Sequence, residues 1–179
     1  MAKQRAGQLL ADHGITATHR LVGLNPSATF GPAKQWFPER YATLGDQLHR
    51  ELGATILIFG GPSDRELGRT IRRLMTAPVV DLSGRTRLGE AMALIGRCQA
   101  FVTNDSGLMH VAAALNTPLV AIFGSTNHTT TSPFSAASRI VRVPIECSPC
   151  MQPVCPLGHM DCMRQVTVDM VLAAVKALL

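Results

Sequence analysis

Short runs of apolar residues recur along this chain, and each is followed by a segment whose apolar positions fall three and four residues apart. The runs at 19–26 (HRLVGLNP), 54–61 (ATILIFGG), 77–82 (APVVDL), 100–105 (AFVTND) and 118–124 (PLVAIFG) have the length and β-branched content of buried strands. The intervening segments 6–14, 38–52, 63–75, 87–98 and 106–116 read as helices. Pro38 at the start of the second and Gly53 just past its end are the usual helix punctuation. Ser63 and Asp64 open the third. Strands alternating with helices in this way predict βαβ units, and therefore an α/β fold with a doubly wound, Rossmann-like parallel sheet. Beyond Gly124 the rhythm changes. A polar loop at 125–135 leads to a strand-like SRIVRV, then to an irregular Cys- and Pro-rich segment at 146–164, and finally to a C-terminal helix at 167–178.

Open parallel sheets bind ligands beyond the carboxyl ends of their strands, so three loops are candidates. In NPSATFGPAKQW, after the first strand, Ser27 and Thr29 offer hydroxyls and Gly31 allows close approach to backbone. Lys34 there is either an ordinary surface lysine or a cation for a phosphate. In GGPSDRE, Asp64 or Glu66 can accept from ribose hydroxyls, and Asp64 serves equally as a helix cap. In TNDSGLMH, Asp105 is placed to cap the next helix, leaving the N–H groups of Ser106, Gly107 and Leu108 for an anion. Gly107 costs a helix about 1 kcal/mol relative to alanine, a cost that makes sense if something must reach the backbone there. His110 reads as a packed or capping histidine.

A length of 179 residues allows one domain with a full core. Hydrophobic residues at 46% and charged residues at 16% exclude a disordered chain. The net charge of +5 favours anionic ligands. One Trp, one Tyr and the absence of a basic run interleaved with aromatics argue against nucleic acid. No segment approaches the ~20 apolar residues of a membrane span, and no signal-peptide core is present, so the expected location is cytoplasmic. The five cysteines are then free thiols or metal ligands rather than disulfides. Cys147, Cys150, Cys155 and Cys162 form C-x2-C-x4-C-x6-C with His159 nearby, a density open to a zinc site, an iron–sulfur cluster or free redox-sensitive thiols. Cys98 lies in a helical apolar pattern and is assigned to the core.

Together, NPSATFGPAKQW and TNDSGLMHVAAALNTPLVAIFG resemble the ADP-heptose:lipopolysaccharide heptosyltransferases, most closely the heptosyltransferase II branch, from about Leu21 onward. The resemblance implies a GT-B glycosyltransferase, and this chain corresponds to its C-terminal, donor-binding domain. It implies that Lys34 with the Ser27/Thr29 loop, and Ser106, Gly107 and Leu108 as backbone donors, hold the diphosphate of ADP-heptose. Asp105 then lies near the heptose hydroxyls, Asp64 or Glu66 at the ribose, and Thr86 at the border of the adenine. It implies inverting, metal-independent transfer to a lipid A–core acceptor, with peripheral contact at the inner membrane and no cofactor. The catalytic base comes from an N-terminal domain that this sequence does not contain, and the Cys-rich segment is not catalytic. The competing class is a non-catalytic module that uses the four cysteines to bind metal. A transferase for another nucleotide sugar is the third reading.

Overall fold

The computed structural model describes residues 1–179. Its strands are β1 (Arg20–Asn25), β2 (Ala54–Ile58), β3 (Val79–Asp81), β4 (Ala100–Asn104), β5 (Leu119–Ile122) and β6 (Ser138–Val141). All neighbouring pairs are parallel, in the order β3-β2-β1-β4-β5-β6. The strand order reverses between β1 and β4, and that switch point opens a crevice at their carboxyl ends.

Successive strand residues point to opposite faces of the sheet, and each face is covered. Val22, Leu24, Ile56, Ile58, Val102 and Ile122 pack on one side under the helices α2 (Pro38–Leu52), α3 (Arg65–Leu74) and α8 (Val168–Lys176). Leu21, Leu57, Phe59, Phe101, Ala121 and Phe123 pack on the other under α1 (Ala2–Ala11), α4 (Leu88–Ile95) and α5 (Gly107–Ala114). Both faces being buried explains why the strands read as unbroken apolar runs rather than alternating ones. Cys98 lies in the second core, where burial pushes its thiol up to about 12.

Several boundaries differ from the sequence expectation. Helix α1 starts four residues earlier than expected, with Arg5 N–H donating to Met1 C=O. Ser63 and Asp64 belong to a 3-10 turn, Pro62–Asp64, and α3 begins only at Arg65. The polar loop contains α6 (His128–Thr131), opened by Asn127 accepting from the Thr129 N–H, and the Cys-rich segment contains α7 (Asp161–Arg164). Helix α2 keeps its expected bounds, with Gly53 in the left-handed conformation. No helix is long and apolar enough to cross a membrane.

Candidate functional site

Two asparagines at the ends of the switch-point strands organise the crevice. Asn25 closes β1 and donates from Nδ2 to Thr103 Oγ1 (2.9 Å) and Ser106 Oγ (2.7 Å). Asn104 closes β4, donates to Pro26 C=O (2.7 Å), and accepts from the Trp36 N–H (3.2 Å) and Tyr41 hydroxyl (3.0 Å). Both are buried, so each hydrogen bond replaces one lost to water. The loop after β1 is thereby tied to the start of α5. The sequence reading missed these residues, although an Asn at the end of each of two strands flanking candidate loops was the visible signal.

Above these ties lies an open cavity of about 600 Å³, between the loops after β1 and β2 and the start of α5. Six of the sequence-nominated residues line it: Ser27, Thr29, Asp64, Ser106, Gly107 and Leu108. Thr86 lines a smaller adjoining cavity of about 270 Å³ that shares Gly60, Gly61, Leu88 and Leu108 with it. The backbone N–H groups of Ser106, Gly107 and Leu108 donate to nothing in the protein, so the positive end of α5 faces the crevice. A Cβ on Gly107 would meet nothing within 4 Å. Internal packing therefore does not demand a glycine there.

Three nominated residues, Asp105, Lys34 and Glu66, stand elsewhere, and His110 also departs from its expected role. Asp105 is not the cap of α5. Ser106 takes the N-cap position, its side chain held by Asn25, and Asp105 is buried. Its carboxylate pairs with Lys34 Nζ at 2.8 Å and accepts from Thr126 Oγ1 (2.7 Å) and Thr131 Oγ1 (3.3 Å). A buried carboxylate needs such partners, and a capping position would have supplied fewer. Lys34, held by Asp105 and lying 5.0 Å over the Phe30 ring, borders the crevice without lining the main cavity. Glu66 is exposed on α3, paired with Arg69 (3.1 Å) and Arg73 (3.3 Å), and does not reach the cavity. His110 is exposed on α5, neither packed nor capping. Asp64 both lines the cavity and caps, accepting from the Gly61 N–H at 2.6 Å.

The Cys-rich segment braces the Lys34 loop from behind. Pro153 C=O accepts from the Ala33 N–H at 3.0 Å, and a Cβ on Gly31 would collide with the Pro153 carbonyl oxygen. Gly31 is thus required for close approach of two backbones. All five cysteines are free thiols. The backbone N–H of Met160, followed by those of Leu157, Gly158 and His159, holds the Cys155 thiol below its ordinary range against the opposing effect of burial. Burial, followed by the neighbouring thiols of Cys147, Cys150 and Cys155, pushes Cys162 up. No three Cys, His, Asp or Glu side chains converge as they stand to hold a metal.

Chemically, the main cavity is a binding platform. It offers hydroxyls, free backbone donors and a nearby cation, and its one carboxylate, Asp64, is already engaged. It contains no nucleophile–base pair.

Comparison with known proteins follows the same lines. The family model described as glycosyltransferase family 9 (heptosyltransferase) matches residues 2–161. The chain is 41% identical to lipopolysaccharide heptosyltransferase 2 of Salmonella typhimurium over 139 residues, 75% of this chain and 40% of that protein. It is 37% identical to lipooligosaccharide heptosyltransferase 2 of Campylobacter jejuni over 165 residues, 89% of this chain and 51% of that one. The solved structure of Escherichia coli ADP-heptose lps heptosyltransferase II superposes with a TM-score of 0.81 at 35% identity, covering 99% of this chain and 50% of that chain. The chain thus spans about half, or less, of the length of the relatives it matches.

Proposed function

This chain belongs to glycosyltransferase family 9, the heptosyltransferases, and from that membership we propose that it is the donor-binding half of a GT-B transferase that moves heptose from ADP-heptose to a lipopolysaccharide core. The observation that carries the reading is the free N-terminus of α5 facing the crevice, with Lys34 at its edge. Three unpaired N–H groups and one cation suit a diphosphate. They also stabilise the charge that grows on departing ADP, in a fixed polar setting that requires no metal. The diphosphate is seated on Ser106, Gly107 and Leu108, with the Ser27 and Thr29 hydroxyls on the opposite wall. Asp64, rather than Glu66, takes the ribose, because only Asp64 lines the cavity. The side cavity bordered by Thr86, Phe59 and Ala91 suits an adenine ring. Asp105 acts chiefly through Lys34.

The reaction also needs a base to take the proton of the acceptor hydroxyl. No free carboxylate faces this cavity, so the base belongs to the facing half of the enzyme. The lipid A–core acceptor places the assembled enzyme at the inner face of the cytoplasmic membrane. Against the alternative of a metal-binding module without a donor site stands the cavity itself, whose walls are the loops that match the family.

The experiment is calorimetric titration of residues 1–179 with ADP and ADP-heptose, followed by a transfer assay. Both ligands are expected to bind, and no heptose is expected to move until the other half of a related enzyme is added. Absence of binding would remove the donor reading. Turnover by residues 1–179 alone at ordinary enzymatic rates would place the base within this chain.

Gly107→Val is a sharper local probe. The space around Gly107 accepts a side chain without displacing protein atoms, so circular dichroism should be unchanged. The valine would stand between the diphosphate and the helix end, and ADP affinity should fall by about 1.5–3 kcal/mol, the range for a lost hydrogen bond to a charged group. Parent-like affinity would move the diphosphate seat away from α5.

A further inference from the structure

The geometry points to a second site in this chain: Cys147, Cys150, Cys155 and Cys162 form a seat for one divalent transition-metal ion, and that ion locks the loop that carries Lys34. The four thiols line one cavity of about 20 Å³ together with His159, Ala33 and Ser125. A space of that size takes a single water-sized guest. It has no room for the eight-atom core of a four-iron cluster, so one ion is the fitting occupant among the metal centres that cysteines hold.

One observation independent of the cysteine spacing indicates a ligand. Ser125 is 1% exposed and lines the cavity, and its hydroxyl has no hydrogen-bond partner. A buried, unpaired hydroxyl is costly, and a metal-bound thiolate would accept from it. His159 accepts through Nδ1 from the Asp161 N–H at 2.9 Å, which leaves the four sulfurs as the natural ligand set. The sulfurs lie on the cavity wall and do not yet converge, so the ion draws them inward. Binding releases one proton from each thiol that ligates, and each sulfur donates a lone pair to the ion.

The consequence for the donor site runs through Ala33. This residue lines the thiol cavity, donates to Pro153 C=O, and immediately precedes Lys34. Met151 N–H donates to Ser125 C=O (2.7 Å) and Ser148 Oγ to Gly124 C=O (2.7 Å), which fasten the same segment to the loop after β5. An ion that fixes the cysteine segment therefore fixes the backbone on which Lys34 stands. This second part rests on the donor-site reading above; the ion seat does not.

The test is elemental analysis of the full chain, purified without metal-affinity steps and supplied with zinc or ferrous iron, paired with ADP titration before and after chelation. About one zinc or iron per chain is expected. That ion should be lost in Cys150→Ser and Cys155→Ser and kept in Cys98→Ala. Chelation of the parent should weaken ADP binding roughly tenfold, within the ordinary range of coupling between sites, and re-addition of the ion should restore it. The parent protein carries this arm, so the result does not depend on the variants folding. A folded chain holding less than about a tenth of an ion would overturn the seat. Several irons with acid-labile sulfide would overturn the single ion. Unchanged ADP affinity after chelation would overturn the lock. A parent that holds one ion but binds no ADP would overturn the donor reading and the lock, leaving the seat standing.

Discussion

Lys34→Ala is expected to cost about 3 kcal/mol of stability, the lower end of the range for stripping one partner from a buried ion pair, and about 1.5–3 kcal/mol of ADP affinity in the protein that folds. The two losses have different origins. Lys34 and Asp105 are 14% and 6% exposed at their side chains, 2.8 Å apart. Without the lysine, the Asp105 carboxylate keeps only the hydroxyls of Thr126 and Thr131. The double variant Lys34→Met with Asp105→Asn separates the effects. A neutral amide no longer needs a cation, so most of the stability should return while ADP affinity stays low. Urea denaturation and calorimetry on the two proteins provide the check. Affinity recovering together with stability would mean that Lys34 serves the fold and not the ligand.

Trp36→Ala carries the second large effect, about 3–5 kcal/mol of stability. Trp36 is 1% exposed, meets Tyr41 edge to face at 5.1 Å, and donates from Nε1 to Val166 C=O at 2.9 Å. Arg40 also donates to that carbonyl, so the variant leaves no orphaned acceptor and the cost is mostly that of the cavity. The indole also packs on Tyr41, whose hydroxyl holds Asn104, the residue before Asp105. The variant should therefore loosen the pair as well as the core, and ADP affinity should drop. Trp36 is the single tryptophan, so unfolding of the variant must be followed by circular dichroism. An unchanged urea midpoint would show that the loop is held by other means.

How far the sequence reveals this molecule depends on the range of the interaction concerned. Helix α2 is legible to the residue because Pro38 and Gly53 mark its ends locally. The strands are legible because burial on both faces leaves an apolar run in each. Asp105 is different. Aspartate and serine are comparable N-caps, and adjacent in sequence they cannot be told apart by capping preference. The choice is made by Lys34, Thr126 and Thr131, none of them a chain neighbour. Asp64 and Glu66 pose the same difficulty: a 3-10 turn at Pro62–Asp64 turns one toward the crevice and leaves the other on the outer face of α3. Helix α6 was hidden because its threonines are poor helix formers, and only the Asn127 cap announces it. The ligand-facing loops themselves were legible as loops, and their match to a known family supplied the pairing that no local rule provides.

The bond from Trp36 to Val166 spans 130 residues, and synthesis is vectorial. While the ribosome is still making α8, the Lys34 loop is already outside and its anchor is not. The central strand β1 is in the same position, since one of its neighbours, β4, begins only at Ala100. The Lys34 loop is therefore without its Val166 anchor until that residue has emerged. A nascent chain stalled just before Val166 emerges should carry all six strands with the α8 side of the sheet uncovered and the indole unanchored, an object for chaperones and proteases, and nucleotide retention by stalled chains should appear only once α8 has emerged.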